Sequence, residues 1–473
     1  MNHWKWILSI PLISLAAGAC GTEKTDENEG ECEVGAAESG CEAGMVCEET
    51  VDGEPKCAAP IEIRGQVVDT ATSAEIEGAW VQATDPNGAA VGTSAVTDVS
   101  GMYVLQVPAV RDAAGEPVET AYTLRAQASG YQRFPFGLRQ ALPLDASSAE
   151  HSGEDVWVIE NALSTIGLIR LPDSAAAEST ISGTVVAESC AGILVVAESN
   201  GVGLPGYSDS DCTYTIFNVP AGSYTVRGYA VDLQLSAADA TVADGESVSG
   251  VDLVASSTEA GLVSGSVQIV NAPGGSVTSV ILAVKSTFIE SAGKGEAPPG
   301  LRVGDVTGDF SIDGVPDGSY VVLAAFENDN LVRDPDESIG GTELIELEIP
   351  DADGNRSIVL PGFKVTEALG VVQPGADTPE EITDLNPTFE WADDSSEEGY
   401  TISVLDAFGE ELFADEIESV SGSDTVTYVY EGPAFEAGMY YQFRAVSFRG
   451  KDLADRTFIS ATEDLRGVFY YMP

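Results

Sequence analysis

The chain has 473 residues, with 77 acidic against 21 basic side chains and a net charge of −56. That length exceeds one core and implies three or four domains, while the charge repels nucleic acid and anionic headgroups and removes both as partners of the globular part. Only two histidines are present, His3 and His151, which excludes a multi-His zinc centre, and no nucleophile-elbow Gly-x-Ser-x-Gly opens a helix. Glycine is abundant at 50 residues, turn-like clusters recur, and sustained 3.6-residue apolar periodicity is missing, so the expected class is all-β.

In chain order, residues 1–19 read as an export signal: Lys5 precedes an apolar run from Ile7 to Ala17 that is too short to span a bilayer. The run ends in Ala17-Gly18-Ala19-Cys20. Small residues before a cysteine resemble the bacterial lipobox, which implies cleavage before Cys20 and its acylation; an ordinary secretory leader is the competing reading. Gly21, not Asp, follows the cysteine, and by resemblance to Gram-negative lipoproteins this implies the outer membrane or cell surface, with a periplasm-facing placement as the alternative. Membrane contact is then expected through the N-terminal lipid alone. Residues 20–31 are polar and acidic, as expected of a disordered tether.

Residues 32–58 hold Cys32, Cys41, Cys47 and Cys57 among Gly and Glu. In an exported chain this implies two disulfides, with three pairings open; a four-cysteine zinc site is the alternative, disfavoured by the spacing. Small modules resembling this one often cross their bridges, which implies Cys32–Cys47 with Cys41–Cys57. Cys190 and Cys212 lie together in a later unit and are expected to staple neighbouring strands. Seven cysteines then divide into one lipidated and six paired.

The middle of the chain repeats a phrase. Tyr214 to Val226 and Phe310 to Val322 each read as a strand, a Val-Pro-x-Gly turn and a second strand starting at Tyr224 or Tyr320. Proline presets the first turn position and glycine accepts the positive φ that follows. A looser copy runs from Gly101 to Pro108 and reaches its second strand at Tyr122 after a longer loop. Opening strands at Gly65, Gly183 and Gly265 precede the three copies. The expected units are 61–172, 179–256 and 259–366.

The first unit carries, in order, Gly-x-Val-x-Asp (Gly65, Val67, Asp69), Gly-Ala-x-Val (Gly78 to Val81), Thr-Asp-x-x-Gly-x-Tyr (Thr97 to Tyr103) and Gly130-Tyr131. It resembles the carboxypeptidase regulatory-like domain, a transthyretin-like sandwich that in metallocarboxypeptidases is an accessory to a separate catalytic domain. The second and third units resemble that family or the B-type domains of collagen adhesins through the repeated phrase and the opening strand. Some such stalk units carry Lys–Asn crosslinks, but residues 61–256 contain no lysine, and Lys285 and Lys294 do not fall on the opening strand.

In the third unit Glu327, Asp329, Asn330, Asp334, Asp336 and Glu337 crowd oxygen ligands together as calcium loops do, without EF-hand spacing. Calcium is therefore a candidate cofactor, and a solvated loop with Arg333 pairing locally is the competing reading. Residues 370–473 resemble a fibronectin type III module through Pro387 to Trp391, Tyr400 to Val404 and Phe435 to Ala445, with Trp391 as the core tryptophan and Tyr441 as the corner tyrosine. Tyr440 or Tyr470 could stack on sugars, or could simply pack.

The expected fold is all-β: tandem Ig-like or transthyretin-like sandwiches behind a lipidated signal and a small disulfide-rich module. The expected function is non-catalytic, a surface stalk or adhesion module for protein or polysaccharide. As a rod, each sandwich would add about 35–40 Å. The alternatives are an accessory subunit of an envelope complex that offers sheet edges, and a hydrolase using scattered carboxylates.

Overall fold

The computed structural model describes Cys32 and residues 40–473, apart from 43, 86–87, 89, 119, 137–138, 140, 154–155, 173–178, 189, 271–277, 290–294, 326–344, 367, 395–396, 420–423, 451–455 and 463–465. These residues form β-strands throughout, and three single-turn 3-10 elements are the only helical pieces among them.

The first strands, Val46–Glu48 and Lys56–Ala58, make an antiparallel hairpin with Cys47 opposite Cys57. The bridges are Cys32–Cys47 and Cys41–Cys57, so two interlocked loops replace the core that so short a segment cannot build.

Three sandwiches with one wiring follow. In each, the opening strand (Ile61–Asp69, Ile181–Val186, Gly261–Val270) runs antiparallel to the strand of the repeated phrase (Met102–Val107, Thr213–Ile216, Asp309–Val315). On its other side it runs parallel to a late strand: Thr165–Leu168, Leu253–Val254 and Ser357–Val359. The facing sheet repeats as well. Its order is Ala90–Val96, Trp80–Thr84, Ala121–Gln127, Leu144–Asp145 in the first unit. The second has Val202–Tyr207, Leu194–Ser199, Gly222–Tyr229, Ala238–Val242, and the third Arg302–Val306, Thr278–Val284, Gly318–Ala325, Ile345–Ile349. Strict alternation of buried and half-buried residues along Ile61–Asp69 shows why: a strand with one face on a core repeats every two residues.

The repeated phrase carries two tyrosine devices. Gly65, Gly183 and Gly265 of the opening strands stand opposite Tyr103, Tyr214 and Phe310. The Tyr103 hydroxyl crosses over its glycine to donate to the Ser164 carbonyl at 2.7 Å, and Tyr214 donates likewise to Val251. The second tyrosine of each phrase closes its own turn, with Tyr122 donating to the Pro108 carbonyl, Tyr224 to Pro220 and Tyr320 to Pro316. A buried hydroxyl needs such a partner, and the proline carbonyl is released for it by the turn.

A local device recurs five times. Asp98, Asp112, Asp209, Asp351 and Asp406 each accept the backbone N–H groups two and four residues on. The residue three places on has positive φ, and it is glycine in four cases and Cys212 in the fifth. Cys212 tolerates φ of 64° at the position that joins it to Cys190.

The last unit is an Ig-type sandwich. One sheet orders Val371–Gln373, Thr388–Ala392, Thr425–Val429; the other orders Glu380–Ile382, Val468–Tyr471, Tyr440–Arg449, Gly399–Asp406, Glu411–Glu418. Trp391 is fully buried among Phe389, Tyr400 and Phe443, and the Tyr441 hydroxyl accepts the Glu436 N–H at 2.9 Å. Tyr440 and Tyr470 face each other with ring centroids 4.9 Å apart, and Tyr440 also packs on the first sandwich's core.

An end-to-end rod is not what forms. The first sandwich touches the third through Arg125–Glu296 and Asp85–Arg302, and the last folds back to place Ala407 in the first core. The physical reason lies in Leu194-Val195-Val196-Ala197, which is buried on both faces. Val195 and Ala197 fill the second sandwich's own core, while Leu194 and Val196 join Tyr207 and Tyr229 in a core shared with the third. A sheet apolar on both sides must be covered on both, and side-by-side packing covers it.

Candidate functional site: the junctions between units

The disulfide module is welded to the first sandwich by a buried ion pair. Glu48 and Arg111 have side-chain exposures of 4% and 0%; Arg111 donates to Glu48 and to the Ala59 carbonyl, and Glu48 also accepts the Ala109 N–H at 3.0 Å. Backbone bonds from Val51 to Arg111 and from Arg111 to Glu49 flank the pair. The chain's acidic excess makes such a cation scarce, and here it neutralises one of the few buried carboxylates.

Successive sandwiches meet through one recurring joint. The residue before Val-Pro is left-handed in the second and third units, Asn218 at φ 55° and Gly314 at φ 71°. Each docks on a left-handed turn just after the central strand of the preceding unit, at Gly130 and Asp232. Asn218 accepts from Gly130 N–H at 2.7 Å and donates to the Ala128 and Tyr131 carbonyls. At the next joint Asp232 N–H donates to the Gly314 carbonyl at 2.8 Å, and Gln234 accepts from Asp317 N–H.

The first three sandwiches converge on a polar cluster. Arg125 lies beside Gln82 across the strand pair, on the outer face that also presents Trp80. Trp80 stacks on Tyr207 of the second unit with centroids 5.5 Å apart, and the Arg125 guanidinium lies 4.6 Å from that ring's centroid. Arg125 donates to Glu296 of the third unit at 2.9 Å, and so does the Tyr207 hydroxyl at 2.7 Å. Arg133 approaches the other carboxylate oxygen at 3.6 Å. Burial pushes the Glu296 carboxyl up, yet Arg125 and Arg133 with the Tyr207 hydrogen bond outweigh it and hold the group below its ordinary value. Burial drives the Tyr207 phenol well upward, so it stays a donor. The last unit is fixed to the first by Arg139, which donates to the Gly167 and Phe408 carbonyls.

These groups hold surfaces together. The fully buried carboxylates among the described residues are all engaged. Glu48 is spent on Arg111, Asp69 on the Ala71 and Thr72 N–H groups with Tyr131 and Arg170, and Asp145 on Ser147. Asp69 and Tyr131 come from the Gly-x-Val-x-Asp and Gly-Tyr motifs, which meet in space at 3.1 Å.

Cys20 and the oxygen set Glu327, Asp329, Asn330, Asp334, Asp336 and Glu337 lie outside the described residues. Cys190 is bridged to Cys212. The sulfurs of Cys32, Cys41 and Cys57 cluster within 4.8 Å because two disulfides sit side by side, and bonded sulfurs offer no thiolate to zinc. Lys285 pairs with Glu346 at 2.5 Å. Sequence reasoning passed over Arg125, Arg133 and Glu296. The available signal was scarcity: in a chain this acidic, arginines in the first sandwich's outward positions mark buried carboxylate partners.

No protein-family model matches the chain, and no curated protein matches its sequence. Solved structures align with it at low similarity. The Bacillus anthracis TIE protein shares 9% identity over 84% of this chain and 68% of its own, with a TM-score of 0.16. The shaft pilin SpaA from Lactobacillus rhamnosus GG shares 11% over 42% of this chain and 96% of its own, TM-score 0.17. BcpA, the major pilin subunit of Bacillus cereus, shares 10% over 65% and 100%, TM-score 0.17. Likeness at this level adds no argument to the reading of this chain.

Proposed function

We propose that this chain is a non-catalytic lipoprotein, anchored through Cys20 to the outer membrane or cell surface, that displays a compact head for binding protein or polysaccharide. In this reading the first three sandwiches are carboxypeptidase regulatory-like or adhesin B-type units and the last is a fibronectin type III-like cap. The observation that carries the proposal is that buried charges join whole units, Glu48 with Arg111 fixing the disulfide module to the first sandwich and Arg125 with Glu296 joining the first to the third. A wound body behind a short polar tether suits display close to the surface better than long-range reach. Calcium held by the 327–337 oxygen set would stiffen the third unit.

The test is expression of the full chain in a Gram-negative host with radiolabelled palmitate, followed by protease treatment of intact cells. Label on the wild type, its loss in Cys20→Ser and cleavage of the protein on whole cells support the proposal. An unlabelled chain, or one protected in intact cells and released only by lysis, overturns it. Calcium is tested separately by melting with excess ion and with chelator. Occupancy at 100 times the dissociation constant adds about 2.7 kcal/mol, so an unchanged transition, or one shifted equally in Asp334→Ala/Asp336→Ala, removes calcium from the reading.

A further inference from the structure

We propose that the Arg125–Tyr207–Glu296 cluster is a latch that holds the third sandwich against the first, and that breaking it lets those two units part. This goes beyond the display function and does not depend on the lipid. The three contacts among the first three sandwiches differ in chemistry. The first and second are joined by the three hydrogen bonds of Asn218 to backbone groups and by the Trp80–Tyr207 stack. The second and third share an apolar core that includes Leu194, Tyr229 and Tyr320, which the first unit enters only through Trp80, stacked on Tyr207. The first and third, by contrast, meet largely through ion pairs: Arg125 and Arg133 with Glu296, and Arg302 with Asp85 at 2.5 Å.

Charged surfaces are readily solvated when they part, whereas an apolar joint exposes hydrocarbon. The first-to-third contact is therefore the one that can open while the two sequential joints persist. No bond of the chain joins the two units directly: one path runs through the whole second sandwich and the other through the last unit, which itself packs on the first. Glu296 is built to act across the gap. Its N–H donates to the Thr287 hydroxyl and its carbonyl accepts from Val284, which fixes the backbone on the third unit. Its carboxylate, meanwhile, lies among residues of the other two units. Reversing its charge places three cations together where one anion neutralised two.

The experiment combines small-angle scattering with an engineered cross-link in the full chain. Cysteines replacing Asp85 and Arg302, whose side chains bridge the contact, should be joined by a short bis-maleimide in the closed state, the guanidinium-to-carboxylate reach being too long for a direct disulfide. Adding Glu296→Arg should enlarge the radius of gyration and reduce cross-linking at least about tenfold, the population change of about 1.4 kcal/mol. Restoring complementarity with Arg125→Glu in the Glu296→Arg chain should recover much of both. An unchanged radius and unchanged cross-linking in Glu296→Arg overturns the latch, as does a natively folded Asp85→Cys/Arg302→Cys chain that never cross-links. If Glu296→Arg unfolds, Glu296→Gln is read instead, which keeps the shape and drops the charge. There a closed radius with full cross-linking refutes the proposal, and a partial opening supports it.

Discussion

The sharpest test of the repeated wiring is one alanine placed at the same position in three units. A Cβ on Gly65 would lie 1.9 Å from the Ser164 carbonyl oxygen, and one on Gly183 would lie 2.0 Å from that of Val251. Each is the oxygen that accepts the tyrosine opposite. On Gly265 the nearest atom is the tip of the Phe310 ring at 2.8 Å, and no tyrosine bond depends on the position. Gly65→Ala and Gly183→Ala must therefore push a paired backbone strand away. Overpacking costs about 1–3 kcal/mol, and the orphaned hydroxyl and carbonyl add about 1–3 kcal/mol, for a total of about 2–6 kcal/mol. Gly265→Ala carries only the first cost, about 1–3 kcal/mol. Because several units melt together, the assay is hydrogen exchange resolved by peptide: the opening and late strands of the altered unit should lose protection. Equal losses in all three variants, or a Gly183→Ala chain exchanging like wild type, would refute the reasoning.

Arg111→Met should strand Glu48 in a dry site at a cost of about 3–5 kcal/mol, seen as early proteolytic release of the disulfide module, with Glu48→Gln added to Arg111→Met recovering part of the loss. Removing the Cys190–Cys212 bridge, which spans 22 residues, should cost about 3 kcal/mol by denaturant titration. Cys190→Ala/Cys212→Gly should be more stable than Cys190→Ala/Cys212→Ala by about 1 kcal/mol, because position 212 is left-handed. The Glu296 carboxyl, held below its ordinary 4.5 in the folded chain, stabilises above that value and loses the contribution as pH falls through the folded-state value. The gap in melting temperature between wild type and Glu296→Gln should accordingly narrow below about pH 4.5, and a gap that is constant from pH 7 to pH 3 would count against it.

Much of the fold could be read from local rules. The Val-Pro-x-Gly-x-Tyr phrase encodes a turn and the tyrosine that closes it, and both halves are neighbours in sequence. The glycine of each opening strand was visible, but its partner carbonyl was not, since Ser164 and Val251 lie about 70–100 residues away and only the parallel pairing brings them near. The rod expectation failed because a linker says little about faces. Leu194 to Ala197 reads as an ordinary buried strand, and burial on both sides appears only when its second apolar face is matched to a neighbour. The polar cluster was hidden for a related reason: Arg125, Tyr207 and Glu296 come from three units, and no spacing rule links them.

The recurring joint is, in sequence terms, a two-part address: a left-handed residue before Val-Pro on one unit and a left-handed residue just after the central strand of its predecessor. Both halves are short and local, so a further copy would need only to carry them in the same places to dock on the end of the series.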